Sequence, residues 1–172
     1  MTEYSGPFKG RCACGHVHYE MACRPMIVHG CHCRYCQRES GASFATNALI
    51  EADRVKTTSG EVAEILVPSA SGAGQLFARC TKCQTTLWSN YLGMSSGLSA
   101  VVRFVRVGTL ENPDLFPPDV HIYTSTKQPW VRLPHDVPSF DEYFVIEDIW
   151  PTESMARRVE LQKAVGLSLI HI

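Results

Sequence analysis

The chain has 172 residues, 45% hydrophobic and 19% charged, with 16 Lys and Arg against 17 Asp and Glu for a formal net charge of -1. At this length a single domain removes roughly 70% of its unfolded surface from water, so the core alone can support the fold. The near-neutral balance and the lack of a basic run exclude a dedicated nucleic-acid binder, and no apolar stretch reaches the roughly 18 residues of a membrane span.

Residues 1–11 lack the apolar stretch of a secretory leader. This predicts a cytoplasmic, reducing setting and free or metal-bound cysteines in place of disulfides. From His16 to Met21 the residues alternate, with Val17, Tyr19 and Met21 on one face and His16, His18 and Glu20 on the other, as in a half-buried strand. Further β-rich runs occupy 26–29, 43–50, 64–67, 75–78, 86–88, 99–107 and 120–125. Turn residues separate them at 59–60, 69–74, 95–97 and 112–114, which predicts a mainly-β protein with one domain over residues 1–166. Ser71–Gln75 resembles a phosphate loop only superficially, lacking its third glycine and its GK[ST] ending. A short C-terminal helix is predicted over 152–165 with Thr152 as its N-cap. Residues 167–172, LSLIHI, read as a non-native sequencing scar and are excluded from the fold.

Seven of the eight cysteines fall in three clusters, Cys12 with Cys14, Cys31 with Cys33 and Cys36, and Cys80 with Cys83. Pairs of cysteines two or three positions apart suit one metal better than each other, and four such ligands close a tetrahedral structural zinc site. Cys12, Cys14, Cys80 and Cys83 are therefore predicted to hold a structural zinc, clamping an N-terminal segment to the middle of the sheet. Cys31, Cys33 and Cys36 come from one tight loop without a fourth cysteine nearby, which is the ligand count of a catalytic zinc with an open position. Two zinc ions per chain follow, although the same spacing fits iron. Three thiolates leave the metal about -1 and weakly Lewis acidic, better suited to an exchangeable substrate thiolate than to making hydroxide. His32, Arg34 and Arg38 flank this cluster and are placed either to orient it and attract an anionic thiol or on a solvated loop.

The pattern G-x-C-x-C-G-x-V at 10–17, CHCxxC at 31–36 followed by Ser40-Gly41-Ala42, and C-x-x-C from Cys80 resembles the glutathione-dependent formaldehyde-activating enzyme family, shared with centromere protein V. The likeness continues through Gly108-Thr109-Leu110, Pro118 and His121-Ile122 to Trp130. It implies an Mss4-like complex β fold, with Cys12, Cys14, Cys80 and Cys83 at a structural zinc. It also implies a second zinc at Cys31, Cys33 and Cys36, where a small thiol such as glutathione joins formaldehyde or a related aldehyde in a carbon-sulfur lyase reaction. The basic extension of centromere protein V is absent, so no chromatin or microtubule role carries over. Gln84 stands where the family has a glycine, which puts the local turn geometry in question but not the ligands.

Two other readings of the three-cysteine cluster stay open: a non-catalytic thiol-sequestering or protein-interaction module, closed by a partner or by Cys23, and a redox sensor. Otherwise Cys23 reads as a lone thiol outside the clusters, and His16 and His18 as an exposed strand face. His121 reads as a hydrogen-bonded strand histidine or a proton shuttle, and Trp88, Trp130 and Phe140 as core residues. Arg103 and Arg106 are spaced so that at most one faces a given cleft.

Overall fold

The computed structural model describes residues 6–69, 71–94 and 97–166. A three-stranded antiparallel sheet joins β1 (Phe8–Arg11), β2 (His18–Met21) and β5 (Val55–Ser59) in that order. The other strands are β3 (Ile27–Cys31), β4 (Ala45–Glu51), β6 (Val62–Val67), β7 (Gln75–Cys80), β8 (Thr86–Tyr91), β9 (Val102–Arg106) and β10 (Val120–Ile122). They form a seven-stranded sheet in the order β10-β3-β4-β9-β8-β7-β6, antiparallel except for the β10–β3 pair. Three α-helices complete the described residues: α1 (Arg34–Ser40), α2 (Ile146–Ile149) and α3 (Thr152–Ala164). The mainly-β expectation holds.

The alternation predicted for β2 is present, with Val17, Tyr19 and Met21 wholly buried. These side chains pack with Val28, Ala48, Ile50, Trp88 and Val105 from one face of the large sheet. The intervening residues Ile27, Leu49 and Val102 point to a second core with Leu98, Ile122, Phe144 and Trp150. Both faces of β3 and β4 are thus covered, which is why their residues read as near-continuous apolar runs. Gly10 permits the closest approach in the first core: a Cβ there would lie 2.3 Å from the Tyr19 ring, whose hydroxyl bonds Thr109 Oγ1 at 2.7 Å.

Several predicted boundaries shift for local reasons. The run at 99–107 becomes a strand only from Val102, because 98–101 form a turn whose Ser99 and Ala100 carbonyls accept from Asn90 Nδ2. The run at 120–125 ends as a strand at Ile122, where Tyr123 turns left-handed at φ 55°. β1 and β5 were not predicted; both are short strands whose identity comes from pairing with β2. The C-terminal helix is present, but Thr152 lies inside it and Pro151 takes the cap position without a side-chain hydrogen bond. Trp88 and Phe140 join the cores, whereas Trp130 is 67% exposed and not a core residue. Residues 95, 96 and 167–172, which include part of one predicted turn and the proposed scar, lie outside the described residues.

Helix α3 is tied to the sheet by polar contacts more than by a greasy stripe. Ser154 donates to Met26 O at 2.6 Å, and Arg157 donates to Arg24 O at 3.0 Å and to both carboxylate oxygens of Glu51, Nε to Oε1 at 2.7 Å. Burial pushes the Glu51 carboxyl up, but hydrogen bonds from Arg157 and the charges of Arg157 and Arg54 outweigh it, leaving it below the usual range. Arg157→Met takes away the two-bond partner of a carboxylate whose side chain is 5% exposed and leaves it only the 3.4 Å pairing with Arg54. We expect a loss of about 2–3 kcal/mol, under the range for a wholly buried pair because the guanidinium stays partly solvated. A group depressed in the fold stabilises above its unfolded pKa and loses that effect as pH falls through its folded value. The gap between wild type and variant in urea unfolding therefore narrows from pH 7 toward acid.

Candidate metal centres

Cys12 and Cys14 follow β1 in a tight turn in which Cys12 N donates to Val17 O and Gly15 N to Cys12 O. Cys80 ends β7, and Cys83 sits in the turn to β8 closed by Cys80 N to Thr85 O and Gln84 N to Cys80 O. The fold brings these two turns together, with all four Sγ atoms within 4.8 Å of one another. Cys12–Cys14 and Cys14–Cys80 are separated by 3.5 and 3.9 Å. Four sulfurs at zinc-like bonds of about 2.3 Å in a tetrahedron stand about 3.8 Å apart, so the spacing fits one ion. Val17 N donates to Cys12 Sγ and Lys82 N to Cys80 Sγ, backbone donors that favour thiolates. Thr85, through its hydroxyl and its backbone, and Cys14 pull the Cys83 thiol down to about 5.

The turn at Gln84 keeps the left-handed conformation that the family's glycine serves, with φ 61°. The side chain compensates only with a 3.3 Å bond from Nε2 to Thr81 O.

The three-cysteine segment is a helix start and not the loop that its spacing suggested. Cys31 ends β3, Cys33 is the N-cap of α1 and accepts from Cys36 N at 3.3 Å, and Gly41 at φ 66° closes the helix. Their three Sγ atoms also lie within 4.8 Å of one another. Cys31 is buried while Cys33 and Cys36 are half-buried, so the group has one accessible side. Hydrogen bonds from Cys31 and Cys36 push Cys33 down to about 2, and those with Cys33 and Cys36, together with burial, push Cys31 far up. Three thiols this close cannot all ionise without a cation among them.

The peptide between the first two sulfurs is pinned on every side. His32 N donates to Ile122 O at 2.9 Å, and His32 O accepts from Gln37 Nε2 at 2.6 Å and Thr126 Oγ1 at 3.0 Å. Its ring Nε2 meets His121 Nδ1 at 3.0 Å. Burial, then the charges of His121 and Lys127, lower His32 to about 4, and burial lowers His121, so both rings are neutral at pH 7. Gly30 makes room for this pair, since a Cβ there would lie 2.5 Å from His121 Nδ1. His121 is thus a hydrogen-bonded strand histidine beside the group.

Arg34 and Arg38 are exposed on α1, where Arg34 donates to Gln37 Oε1 at 2.8 Å. Cys23 lies in neither sulfur group; Arg54 and Arg157 donate to its sulfur at 3.1 and 3.6 Å. His16 and His18 are half-buried and join neither group. Arg103 and Arg106 do face opposite ways, the first to Val55 O and the Trp88 ring, the second to Glu39 and Asn47. Sequence reasoning missed Gln37, Thr126 and Glu39, whose roles depend on a helix with no apolar period. The one signal for α1 was Gly41 after a cysteine able to cap.

A fold of this kind, with seven thiols gathered into one group of four and one of three, defines a mainly-β protein able to hold metal ions at two cysteine centres. The chain belongs to the glutathione-dependent formaldehyde-activating enzyme family, whose pattern it matches over residues 7–126. No curated protein sequence matches it significantly. Among solved structures it is similar to a crystal structure of a Rhodobacter sphaeroides protein, with 17% identity and a TM-score of 0.45 over 77% of this chain and 99% of that one.

Gln84→Gly should relieve the left-handed strain, for which a non-glycine residue costs roughly 1–2 kcal/mol, partly offset by the greater freedom of glycine in the unfolded chain. We expect a net gain of about 0.5–1 kcal/mol, measured as a higher Tm with unchanged metal content.

Proposed function

We propose that the protein is a zinc-dependent carbon-sulfur lyase that reversibly joins a small thiol such as glutathione to formaldehyde or a related aldehyde. Supporting this reading above all is the group of Cys31, Cys33 and Cys36, partly open to solvent, in a member of this family that also has a four-cysteine group whose sulfurs all lie within 4.8 Å of one another. In this reading Cys12, Cys14, Cys80 and Cys83 hold a structural zinc, and Cys31, Cys33 and Cys36 hold the catalytic one. A zinc with three thiolate ligands supplies a soft, weakly acidic seat suited to a substrate thiolate.

The chain's own residues fix that seat. Gln37, Thr126 and Ile122 hold the His32 peptide, and with it the separation of Cys31 from Cys33. The Cys36 N–H to Cys33 Sγ bond sets the approach of the third sulfur. In the forward direction a carbon-sulfur bond forms at the aldehyde carbon, the carbonyl π bond breaks, and the proton lost by the thiol is returned to the new alkoxide oxygen. Holding the two reactants together lowers the entropic part of the barrier. Closure of the group by Cys23 gains no support, because that thiol is engaged by two arginines.

Elemental mass spectrometry of protein purified without added metal should find two zinc ions per chain, and Cys36→Ser should lose one of them. Exchange NMR with labelled formaldehyde and glutathione should show exchange faster than buffer; a buffer-level rate defeats the lyase reading. Gln37→Leu, which leaves the His32 carbonyl with Thr126 Oγ1 as its one side-chain donor, should weaken the second zinc about 10–100-fold in chelator competition and leave the first unchanged.

A further inference from the structure

Glu39 lies one turn of α1 after Cys36, and its side chain is 9% exposed. A carboxylate so covered stays charged at low cost only while its partners are in place. Its Oε2 accepts from Arg106 at 2.7 Å, and its Oε1 accepts from Arg79 at 3.3 Å and from Thr86 at 3.1 Å. Arg79 and Thr86 face each other across β7 and β8, just past a shift in register. The wholly buried Phe77 ring seats both guanidiniums, Arg79 at 5.4 Å and Arg106 at 5.5 Å from its centroid.

That strand pair is also the base of the four-cysteine group. Arg79 precedes Cys80 and Thr86 follows Thr85, and Cys80 N donates to Thr85 O at 3.0 Å. Thr85 Oγ1 meets Cys83 Sγ at 3.1 Å and accepts at 3.3 Å from the N–H of Ala13, which lies between Cys12 and Cys14. Thr85 thus touches both halves of the four-cysteine group, and its neighbour Thr86 touches the helix that carries Cys36.

An ion among Cys12, Cys14, Cys80 and Cys83 fixes the turn 81–85, and with it the places of Arg79 and Thr86. Without a cation the crowded sulfurs repel as they ionise, the turn loosens, and Glu39 loses the fixed positions of two donors. Helix α1 has seven residues, too few to hold itself, and is then left with the anchor at Gln37. We propose that Glu39 is a positioning residue that couples the two groups, so that an ion in the four-cysteine group tightens the binding of a second ion by Cys31, Cys33 and Cys36. Such coupling is reciprocal, the second ion tightening the first by the same factor. The proposal rests on both groups holding ions and not on the lyase chemistry.

Cobalt(II) serves as the probe, since its thiolate charge-transfer bands report each group and Cys36→Ser identifies those of the second. Chelator competition should find the second ion held about tenfold more weakly in Cys83→Ser and, separately, in Glu39→Gln. In the double variant the loss should stay near tenfold, because both changes cut one connection. Thr85→Val, which removes the contacts to Cys83 and Ala13 but no sulfur, takes the place of Cys83→Ser in this cycle if that variant does not fold. The amides of Gln37 and Gly41, bonded within α1, should exchange about tenfold faster in each single variant, while that of Met26, bonded to Leu49 O in the sheet, keeps its rate. A loss of about a hundredfold in the double variant, wild-type binding of the second ion in either single variant, or equally faster exchange at Met26 overturns the coupling and leaves the two-ion reading intact. Uptake of a single cobalt ion by the wild type removes both.

Discussion

Sulfur crowding is the constraint on which the structure turns. Thiolates repel at the distances found here, and seven are packed into two groups whose members lie within 4.8 Å. Such groups persist only with a cation or shared protons among the sulfurs. The group of four also joins parts of the chain far apart in sequence, since Cys12 and Cys14 follow a strand of the small sheet while Cys80 and Cys83 lie between two strands of the large one. Cys12 and Cys80 are themselves members of the core between the sheets. An ion held at this point would therefore be coupled to the packing of the two sheets.

The group of three is organised differently. Its sulfurs come from a strand end and the first turn of a helix, and nothing in so short a helix makes it stable alone. What fixes it is its frame. One side of α1 is tied through Gln37 to the peptide between the first two sulfurs and to Thr126. The other is tied through Glu39, which accepts from Arg79 at 3.3 Å, Arg106 at 2.7 Å and Thr86 at 3.1 Å. Arg79 precedes Cys80, so the polar frame of the second group begins next to a cysteine of the first.

The two cysteine groups were legible because metal chemistry constrains spacing along the chain: a C-x-C or C-x-x-C pair announces itself without knowledge of the fold. The strand alternation at Val17, Tyr19 and Met21 was legible for the same local reason. Helix α1 was not, because its anchors, Gln37 and Glu39, take partners some 40 to 90 residues away. Trp130 shows the opposite failure. Aromatic composition favours burial, but the turn held by Lys127 and Val131 turns this ring outward, a tertiary effect that no local pattern encodes.

The charges about the second group are arranged to match. A divalent ion with three thiolates carries about -1. The imidazoles of His32 and His121 cannot offset it, because burial keeps them neutral. Glu39 with Arg79 and Arg106 is a cluster of one carboxylate and two guanidiniums, net +1; a hydrogen bond from Cys31 and the charge of Arg106 act to lower the Cys36 thiol, but the bond from Cys33 and burial outweigh them and leave it raised. Removing the Glu39 carboxylate would leave the guanidiniums of Arg79 and Arg106, both from strands of the large sheet, without their shared carboxylate, so it balances their charge as well as holding α1. The same cluster leaves Arg34 and Arg38 outside the balance, on the solvent side of the helix.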